Sequence, residues 1–341
     1  MQPVEVRLST KHDRKQIASL FEAVFNKPFD HAEWAWKYDE GNAGYVLESD
    51  GRILGHTGYL RRRMTVHRRE KTMALRVDTM VHPDARGKGA YRMLLEESIR
   101  QEREAGVAGL YGFPSDMAKG PLIKVTDAKE VSSVPKYRLV TAPVTLASLY
   151  LPLLKPLRFL DGVVRRWRFR GSGAKGALSL EHVSDQDALP SFLKETTSTA
   201  AIQAIRDQAF FETRYRRHPD PYRLYAAVRD GEAVGLIVTK TVTHERRGRQ
   251  IEEGRILDLA LACDADWAEA AGLTAAHLAG EGVAFVQLWA MPGSRLAGAV
   301  EQAGFASAGS PMSLVVKELD ETDDLGDPKD WHITMGDVDS Y

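Results

Sequence analysis

The feature that most constrains this chain is an internal repeat, in which matching motifs recur about 180 residues apart. A strand, an Asp-Gly turn and a second strand are predicted at Tyr45–Tyr59 and again at Tyr225–Thr239. Asp78 in LRVDTMV and Asp258 in RILDLAL keep the same offset. Chance could supply one such pair, but several pairs in the same order indicate two similar folding units.

The length and composition agree with two folded domains. A chain of 341 residues is long for one hydrophobic core, and 43% hydrophobic with 27% charged residues is ordinary for a folded protein. A formal net charge of −1 provides no global basic field, so we expect no nucleic-acid partner. No run approaches the roughly 18 apolar residues that span a bilayer, and the start lacks a signal-peptide core. We therefore expect a soluble, cytoplasmic protein without a transmembrane segment.

Cysteine and histidine form no pattern typical of a disulfide or a metal site. Cys263 is the only cysteine, which excludes a disulfide within the chain, and we expect it to be a buried structural thiol. The histidines are scattered, without the spacing of H-E-x-x-H or a related motif. We therefore expect no metal.

One segment of the first repeat combines a strand, a basic glycine turn and a helix. Ala74–Val81 is apolar and partly β-branched, which predicts a strand, and apolar residues after Tyr91 recur at helical spacing. Between them lies RGKGA, Arg86–Ala90. The first amides of a helix lack internal partners and attract anions, and glycines let the backbone approach closely. The segment favours a diphosphate site, although a solvated turn alone has the same pattern.

The same segment resembles the signature of the GNAT acetyltransferase superfamily, in which V-x-P ends a strand and [QR]-x-x-G-x-[GA] begins a helix. Val81–Pro83 and Arg86–Tyr91 match it, except that the bulky Tyr91 replaces a small residue. The resemblance implies that the loop binds the pyrophosphate of acetyl-CoA, or of another acyl-CoA, and that the strand end pairs with the pantetheine arm. The implied cofactor-binding residues are Met80, Val81, Arg86, Gly87, Lys88, Gly89, Ala90 and Tyr91, with Ser115 as a further contact to the pantetheine arm.

The resemblance and the repeat together predict an α/β fold of two tandem GNAT-like domains, each a central, mostly antiparallel mixed sheet flanked by helices. In the second repeat, the acidic segment Cys263–Thr274 stands opposite the basic loop and would repel a diphosphate. We therefore expect one acyl-CoA site, in the first domain, and a degenerate second domain. The predicted boundaries are 1–142 for the first domain, 143–176 for an interdomain segment, 177–319 for the second domain and 320–341 for an acidic linker and C-terminal tail.

The interdomain segment is apolar at first and basic later. Within Thr145–Gly173, Pro152 and Pro156 interrupt any long helix, and arginines follow from Arg165 onward. The preferred interpretation is a connection that packs its leucines on one of the repeats. A helix lying on a membrane surface is the alternative, with the arginines as its basic flank. The arginines would equally suit an acidic or phosphorylated substrate.

The sequence identifies the catalytic residues less clearly than the glycine loop. Many GNAT enzymes carry a glutamate where this chain has Val77, which leaves the neighbouring Asp78 as the candidate base or substrate ligand. Successive strand residues face opposite sides, and Asp258 recurs in the degenerate repeat, so a structural role is the alternative for both aspartates. The tyrosine that often protonates the CoA thiolate in this family is replaced by Leu122.

Two further groups of residues are candidates by resemblance. Survival-protein relatives in this superfamily use a terminal carboxylate in the active site, which makes Tyr341 a second catalytic candidate, supported by Asp337 or Asp339; a frayed terminus is the alternative. Trp34, Trp36 and Tyr38 precede the first hairpin, where GNAT enzymes bind the acceptor. Aromatic rings stack on sugars or enclose an ammonium group, but at this spacing they also build cores.

The sequence therefore predicts an N-acetyltransferase that moves an acetyl or longer acyl group from CoA to the amine of a small molecule. An amino sugar is a candidate acceptor, and direct transfer in a ternary complex is the expected mechanism. One alternative is a non-catalytic CoA- or substrate-binding protein, because Val77 and Leu122 stand where reactive side chains are often found. The other is an enzyme that acetylates peptide or protein amines.

Overall fold

The computed structural model describes residues 4–38, 41–169, 177–190, 200–310, 312–320 and 324–339. The strands are β1 Glu5–Leu8, β2 Ala43–Ser49, β3 Arg52–Val66, β4 Arg69–Val81, β5 Gly109–Gly112, β6 Lys129–Val134, β7 Lys136–Val140, β8 Ser179–Val183, β9 Ile202–Ala204, β10 Arg223–Arg229, β11 Glu232–Arg246, β12 Arg249–Leu261, β13 Phe285–Trp289, β14 Ala306–Ser307 and β15 Met312–Glu318. The α-helices are α1 Arg14–Phe25, α2 His31–Lys37, α3 Ala90–Glu104, α4 Asp116–Thr126, α5 Pro143–Ala147, α6 Leu160–Arg168, α7 Gln208–Phe211, α8 Trp267–Gly280 and α9 Arg295–Gln302.

These strands form two sheets. The first has the order β1-β2-β3-β4-β5-β15-β6, with β9 paired to β3, and the second has the order β14-β7-β13-β12-β11-β10-β8. Most pairs are antiparallel, whereas β4 with β5 and β12 with β13 are parallel. Asp50-Gly51 and Asp230-Gly231 form the predicted turns, and all four residues have the positive φ that a tight hairpin requires. The predicted architecture of two mixed, mainly antiparallel sheets flanked by helices is confirmed.

One strand from each half of the chain joins the other half's sheet. β7 lies within the predicted first domain but pairs with β13 and β14 of the second sheet. β15 lies within the predicted second domain but inserts between β5 and β6 of the first sheet. The boundaries predicted at 142 and 319 therefore cut across both sheets. Alternation of apolar residues sets which face of a strand is buried, but it does not specify the partner strand.

The C-terminal tail is part of the core between the two sheets. Trp331, Ile333, Met335 and Val338 are buried in a cluster that also contains residues of both sheets. The Trp331 indole Nε1 donates a hydrogen bond of 2.9 Å to the Leu325 carbonyl oxygen. The alternative of a frayed terminus is therefore wrong for the tail as far as Asp339.

The interdomain segment and Cys263 also differ from expectation. Leu146 and Leu149 pack beside Phe285 of the second sheet, but Leu151, Leu153 and Leu157 are exposed, so the predicted packing of the leucines holds only for part of the segment. Cys263 is exposed, not buried, because it follows the end of β12 in a surface loop. Among the helices of the described residues, none combines the length and apolar character needed to cross a bilayer.

Candidate active site

A cleft opens in the first sheet where β4 and β5 diverge. The two strands pair only between Met73–Leu75 and Gly109–Tyr111, whereas β4 continues to Val81. The edge of β4 beyond Leu75 therefore has no β5 partner. A cavity of about 480 Å³ lies at this divergence, and its lining includes Asp78, Tyr91, Ser115, Leu122 and Asp339.

A β-bulge sets the direction of Asp78. The register between β3 and β4 shifts between His56 and Gly58, so that Asp78 and Thr79 both stand opposite Thr57. Asp78 has a φ of 49°, and the bulge interrupts the alternation of side chains along the strand. Asp78 and both of its chain neighbours line the cavity. The argument that alternation would turn Asp78 to the side opposite its neighbours therefore does not apply here, because regular alternation fails at a bulge.

A buried lysine holds three carboxylates in the lining of the cavity. The Lys37 Nζ lies 3.0 Å from Glu33 Oε1, 3.3 Å from Asp78 Oδ1 and 3.0 Å from Asp339 Oδ2. Burial alone would lower the pKa of Lys37, but the charges of Asp78, Asp339 and Glu33 raise it, so the ammonium keeps its proton. Three carboxylates and one ammonium leave the cluster with a net negative charge. Sequence reasoning missed Lys37, for which the four-residue spacing from Glu33 was the available signal.

Tyr38 links this cluster to β3. Its hydroxyl donates a hydrogen bond of 3.0 Å to Asp78 Oδ2, and burial together with Asp78 raises the pKa of Tyr38 well above its ordinary value. A Cβ at Gly58 would lie 1.8 Å from the Tyr38 hydroxyl, so only glycine leaves room for this contact. The His56 ring donates from Nδ1 to the Asp78 carbonyl oxygen at 3.0 Å, and burial lowers the pKa of His56, which keeps the ring neutral.

The second unit repeats the tyrosine–aspartate pair in a different setting. The Tyr215 hydroxyl donates to Asp258 Oδ2 at 3.0 Å, and the buried Arg206 bridges Asp258 and Asp337 at 2.8 and 2.6 Å. A Cβ at Gly336 would lie 2.1 Å from the Tyr215 hydroxyl, so the tail packs directly against this pair. Asp258 is therefore enclosed by the tail, whereas Asp78 faces a cavity.

The glycine loop has the geometry of an anion site. Gly87 and Gly89 have φ of 72° and 83°, which favour glycine, and α3 begins after Gly89 without a side-chain cap. Among the described residues, the amides of Gly87, Lys88 and Gly89 donate no backbone hydrogen bond. The Arg86 Nε donates to the Val81 carbonyl oxygen at 3.2 Å, which ties the loop to the end of β4. Free amides, a helix start and two basic side chains fit a pyrophosphate.

Tyr91 joins the loop to the cavity. It is the first residue after Ala90 in α3, and its ring lines the cavity. Burial raises the pKa of Tyr91, so its phenol stays protonated at neutral pH. Arg76 on β4 lines the same cavity, has no ion pair within the described part of the chain, and has a pKa that burial lowers. Sequence reasoning missed Arg76, because a single arginine within a strand carries no motif.

The other predicted residues fall in different places. Met80 and Val81 bury their side chains, and their backbone lies on the edge of β4 beyond its pairing with β5. Ser115 precedes α4, and its hydroxyl does not cap that helix. Trp34 packs against Phe29 and His56, away from the cavity lining. Tyr341 lies outside the described residues.

Trp36 lies in a second cavity between the two units. This cavity has a volume of about 260 Å³, and its lining contains five cationic residues and no carboxylate among the described residues. The Trp36 indole donates to the Thr213 carbonyl oxygen at 2.6 Å, and the Arg214 guanidinium lies 5.3 Å from the Trp36 ring centre. Lys37 lines both cavities and therefore separates a basic chamber from the carboxylate cluster. Within the described residues, no three or more His, Cys, Asp or Glu side chains are placed to hold a metal ion.

Known proteins share this fold. Residues 5–119 match the family model described as an acetyltransferase (GNAT) domain. A probable N-acyltransferase from Enterococcus faecalis superposes with a TM-score of 0.67 at 13% identity, over 93% of this chain and 73% of that one. A GCN5-related N-acetyltransferase from Anabaena variabilis gives 0.66 at 13% identity, with the same two coverages. The search of curated protein sequences returned no match.

A third similar structure is an N-myristoyltransferase from Saccharomyces cerevisiae with bound myristoyl-CoA. It superposes with a TM-score of 0.60 at 10% identity, over 98% of this chain and 89% of that one. At such low identities, the structural matches establish the fold alone. They cover both halves of this chain and confirm the fold predicted from the repeat and the glycine loop.

Proposed function

We propose, on the premise that this chain is a member of the GNAT acetyltransferase superfamily, that it transfers an acetyl or longer acyl group from CoA to an amine of a small molecule. An amino sugar is a candidate acceptor, and transfer is direct, within a ternary complex. The observation that carries the proposal is that one cavity is lined both by Tyr91, which follows the glycine loop in α3, and by the carboxylates around Lys37.

The donor side is proposed from the loop and the free edge of β4. The amides of Gly87 to Ala90 and the charges of Arg86 and Lys88 would hold the pyrophosphate. The pantetheine arm would pair with the backbone at Met80 and Val81, as an added strand pairs with a sheet edge, and would contact Ser115. The structurally similar N-myristoyltransferase binds myristoyl-CoA, which supports testing longer acyl chains as well as acetyl.

The acceptor side is proposed from the electrostatics of the cluster. Its net negative charge attracts an amine in the ammonium form, and a carboxylate close to the nitrogen accepts the proton that must leave before attack. Asp78 and Asp339 line the cavity and are the candidate bases. Tyr341, two residues beyond Asp339, is a third candidate by resemblance alone. Tyr38 would stand beside the acceptor through its hydrogen bond to Asp78, whereas Trp36 lines the basic cavity on the other side of Lys37 and the packing of Trp34 favours a structural role for that residue.

The proton donor for the departing thiolate is not a side chain at position 122, because Leu122 is apolar. Ser115 and the protonated phenol of Tyr91 line the same cavity and are available as hydrogen-bond donors. A free thiol has a pKa of about 8.5, so the thiolate needs only a modest stabilisation or protonation from water at neutral pH. Catalysis here rests on positioning and on removal of the acceptor proton.

The test is release of free CoA from acetyl-CoA and from longer acyl-CoA with a panel of amines. The panel should contain amino sugars, amino acids and short peptides. Turnover with a small amine, and initial rates whose double-reciprocal lines intersect, would support direct transfer in a ternary complex. Parallel lines would indicate an acyl-enzyme and overturn that mechanism. Binding of acyl-CoA without turnover would favour the non-catalytic alternative, and turnover of peptides alone would favour a peptide acceptor.

A further inference from the structure

The interdomain segment carries the largest concentration of exposed apolar side chains in the described structure. Twelve large apolar residues are exposed among the described residues, and seven of them lie between 150 and 167. We call these seven the apolar patch: Tyr150, Leu151, Leu153, Leu157, Phe159, Val163 and Trp167. Isolated exposed leucines are normal, but a contiguous group of this kind marks an interaction surface.

One apolar face of α6 points into solvent. Phe159, Val163 and Trp167 are spaced by four residues, which places them on one face, and they are 69%, 59% and 72% exposed. An amphipathic helix on a protein surface normally buries its apolar stripe. In α6, Asp161 is buried and Leu160, Val164 and Arg165 are half-buried, on the side that contacts the second unit. Phe159, Val163 and Trp167 form a separate apolar stripe that stays outside this contact.

The segment is held rigidly with the patch outward. The Asp161 carboxylate accepts hydrogen bonds from the backbone amides of Val144 and Thr145 at 2.8 and 2.9 Å. The Arg165 guanidinium donates to the carbonyl oxygens of Thr141 and Val283, both at 3.2 Å. These contacts fix α6 to α5 and to the second sheet, so the patch exists before any partner arrives.

Positive charge surrounds the patch. Lys155, Arg158 and Arg166 are exposed and have no ion pair within the described residues, and the one acidic residue between 143 and 169 is the buried Asp161. The Arg247 guanidinium, from the turn between β11 and β12, lies 4.4 Å from the centre of the Tyr150 ring and extends the basic rim. The surface therefore combines protruding leucines and aromatic rings with unpaired cations.

We propose that the apolar patch docks this protein onto a lipid bilayer with anionic headgroups. Interfacial segments insert tryptophan, phenylalanine and leucine at the headgroup boundary while lysine and arginine pair with anionic lipids. The patch has this composition, and its side chains protrude, with Leu153 90% exposed, instead of lining a groove that would receive another chain. The inference rests on the patch alone and does not depend on the proposed acyl transfer.

The experiment is flotation of the full chain with vesicles of phosphatidylcholine containing about 30 mol% phosphatidylserine, against vesicles of phosphatidylcholine alone. The protein should float with the anionic vesicles at low salt and be released as salt is raised. Combined Lys155→Glu, Arg158→Glu and Arg166→Glu should lower the partition coefficient onto anionic vesicles by at least roughly 100-fold, because each cation near an anionic surface raises that coefficient about fivefold.

The apolar contribution needs its own variant and a matched control. Combined Leu153→Ser, Phe159→Ser and Trp167→Ser should abolish flotation, and the melting temperature should stay unchanged because these side chains are exposed. Combined Val4→Ser, Leu8→Ser and Met117→Ser removes three exposed apolar groups elsewhere, at 45%, 52% and 89% exposure, and should float like the parent. The proposal is overturned if the parent does not float with anionic vesicles, or if the control loses flotation equally. A dimer that the serine patch variant dissociates, in a protein that does not float, would assign the patch to a second copy.

Discussion

Replacing Asp78 by asparagine, and comparing it with the same change at Asp258, separates a chemical role from a structural one. Both aspartates accept a hydrogen bond from a tyrosine hydroxyl at 3.0 Å. Asp78 lines the cavity beside Lys37, whereas Asp258 is buried against Arg206 and the tail. The two positions match in the internal repeat, so each serves as the control for the other.

The expected magnitudes differ because the surroundings differ. Asparagine at position 78 still offers an oxygen to Tyr38, and Lys37 keeps Glu33 and Asp339, so we expect a stability loss of about 1 kcal/mol. An acceptor ammonium about 5 Å from position 78 loses at most about 3 kcal/mol of attraction when the carboxylate is removed, at an effective dielectric constant of about 20. The value of kcat/KM should therefore fall by up to roughly 100-fold.

At position 258 we expect the substitution to lower the free energy of unfolding. Asp258→Asn removes one partner of a buried ion pair, which costs about 3 kcal/mol. In a domain of this size that corresponds to a melting temperature lower by roughly 10 °C. Release of free CoA and calorimetric melting measure the two effects on the same samples. The reasoning is refuted if Asp78→Asn keeps acyl transfer within about threefold of the parent, or if Asp258→Asn abolishes transfer without lowering the melting temperature.

Two further predictions concern the tail. Gly336→Ala would place a Cβ 2.1 Å from the Tyr215 hydroxyl, so it should displace the tail that carries Asp339 and lower both the melting temperature and acyl transfer. Gly298→Ala is the control, because a Cβ at Gly298 meets open space. An unchanged melting temperature in Gly336→Ala would contradict the packing of the tail. Burial and the nearby charge of Arg206 lower the pKa of His332 to about 3 from 6.5. Between these two pKa values, His332 is protonated in the unfolded chain but neutral in the folded protein. The free energy of unfolding should therefore fall as pH drops below about 6.5. His332→Gln should flatten this dependence, measured as the urea midpoint at about pH 7 and about pH 5, and an unaltered slope would argue against a buried neutral imidazole.

The sequence predicted the parts of the fold that local chemistry determines. The Asp-Gly turns required residues that tolerate positive φ, and both hairpins form at Asp50 and Asp230. The strand, glycine loop and helix at Ala74–Glu104 follow from a β-branched run, two glycines with positive φ and helical periodicity. The fold class follows from the repeat of these elements.

Long-range pairing could not be predicted in the same way. β7 and β15 exchange between the sheets, and nothing in their alternation of apolar residues names a partner. The direction of Asp78 depends on a bulge, which regular alternation does not anticipate. The charge cluster joins Lys37 to Asp339, which are 302 positions apart, so no local motif could reveal it.

Burial was the other property that sequence patterns misjudged. The tail is polar in composition, yet Trp331 and Met335 are buried because they fill the space between the two sheets. The leucines at 151, 153 and 157 are apolar, yet they are exposed in and beside the surface 3-10 helix Pro152–Phe159. In both segments the position in the tertiary fold outweighed composition.

The central claim is that acyl-CoA binds at the glycine loop and in the divergence cleft, and a thermal-shift titration with acetyl-CoA tests it most directly. At about 100 times its dissociation constant, a ligand stabilises the folded state by roughly 2.7 kcal/mol, which corresponds to a shift of about 5–10 °C. The loop variant combines Arg86→Glu and Lys88→Glu. The control variant combines Arg69→Glu and Arg103→Glu, which changes the net charge equally at two exposed arginines outside the loop. The account predicts a shift that disappears only in the loop variant. No shift in the parent, or an equal shift in both variants, would contradict it.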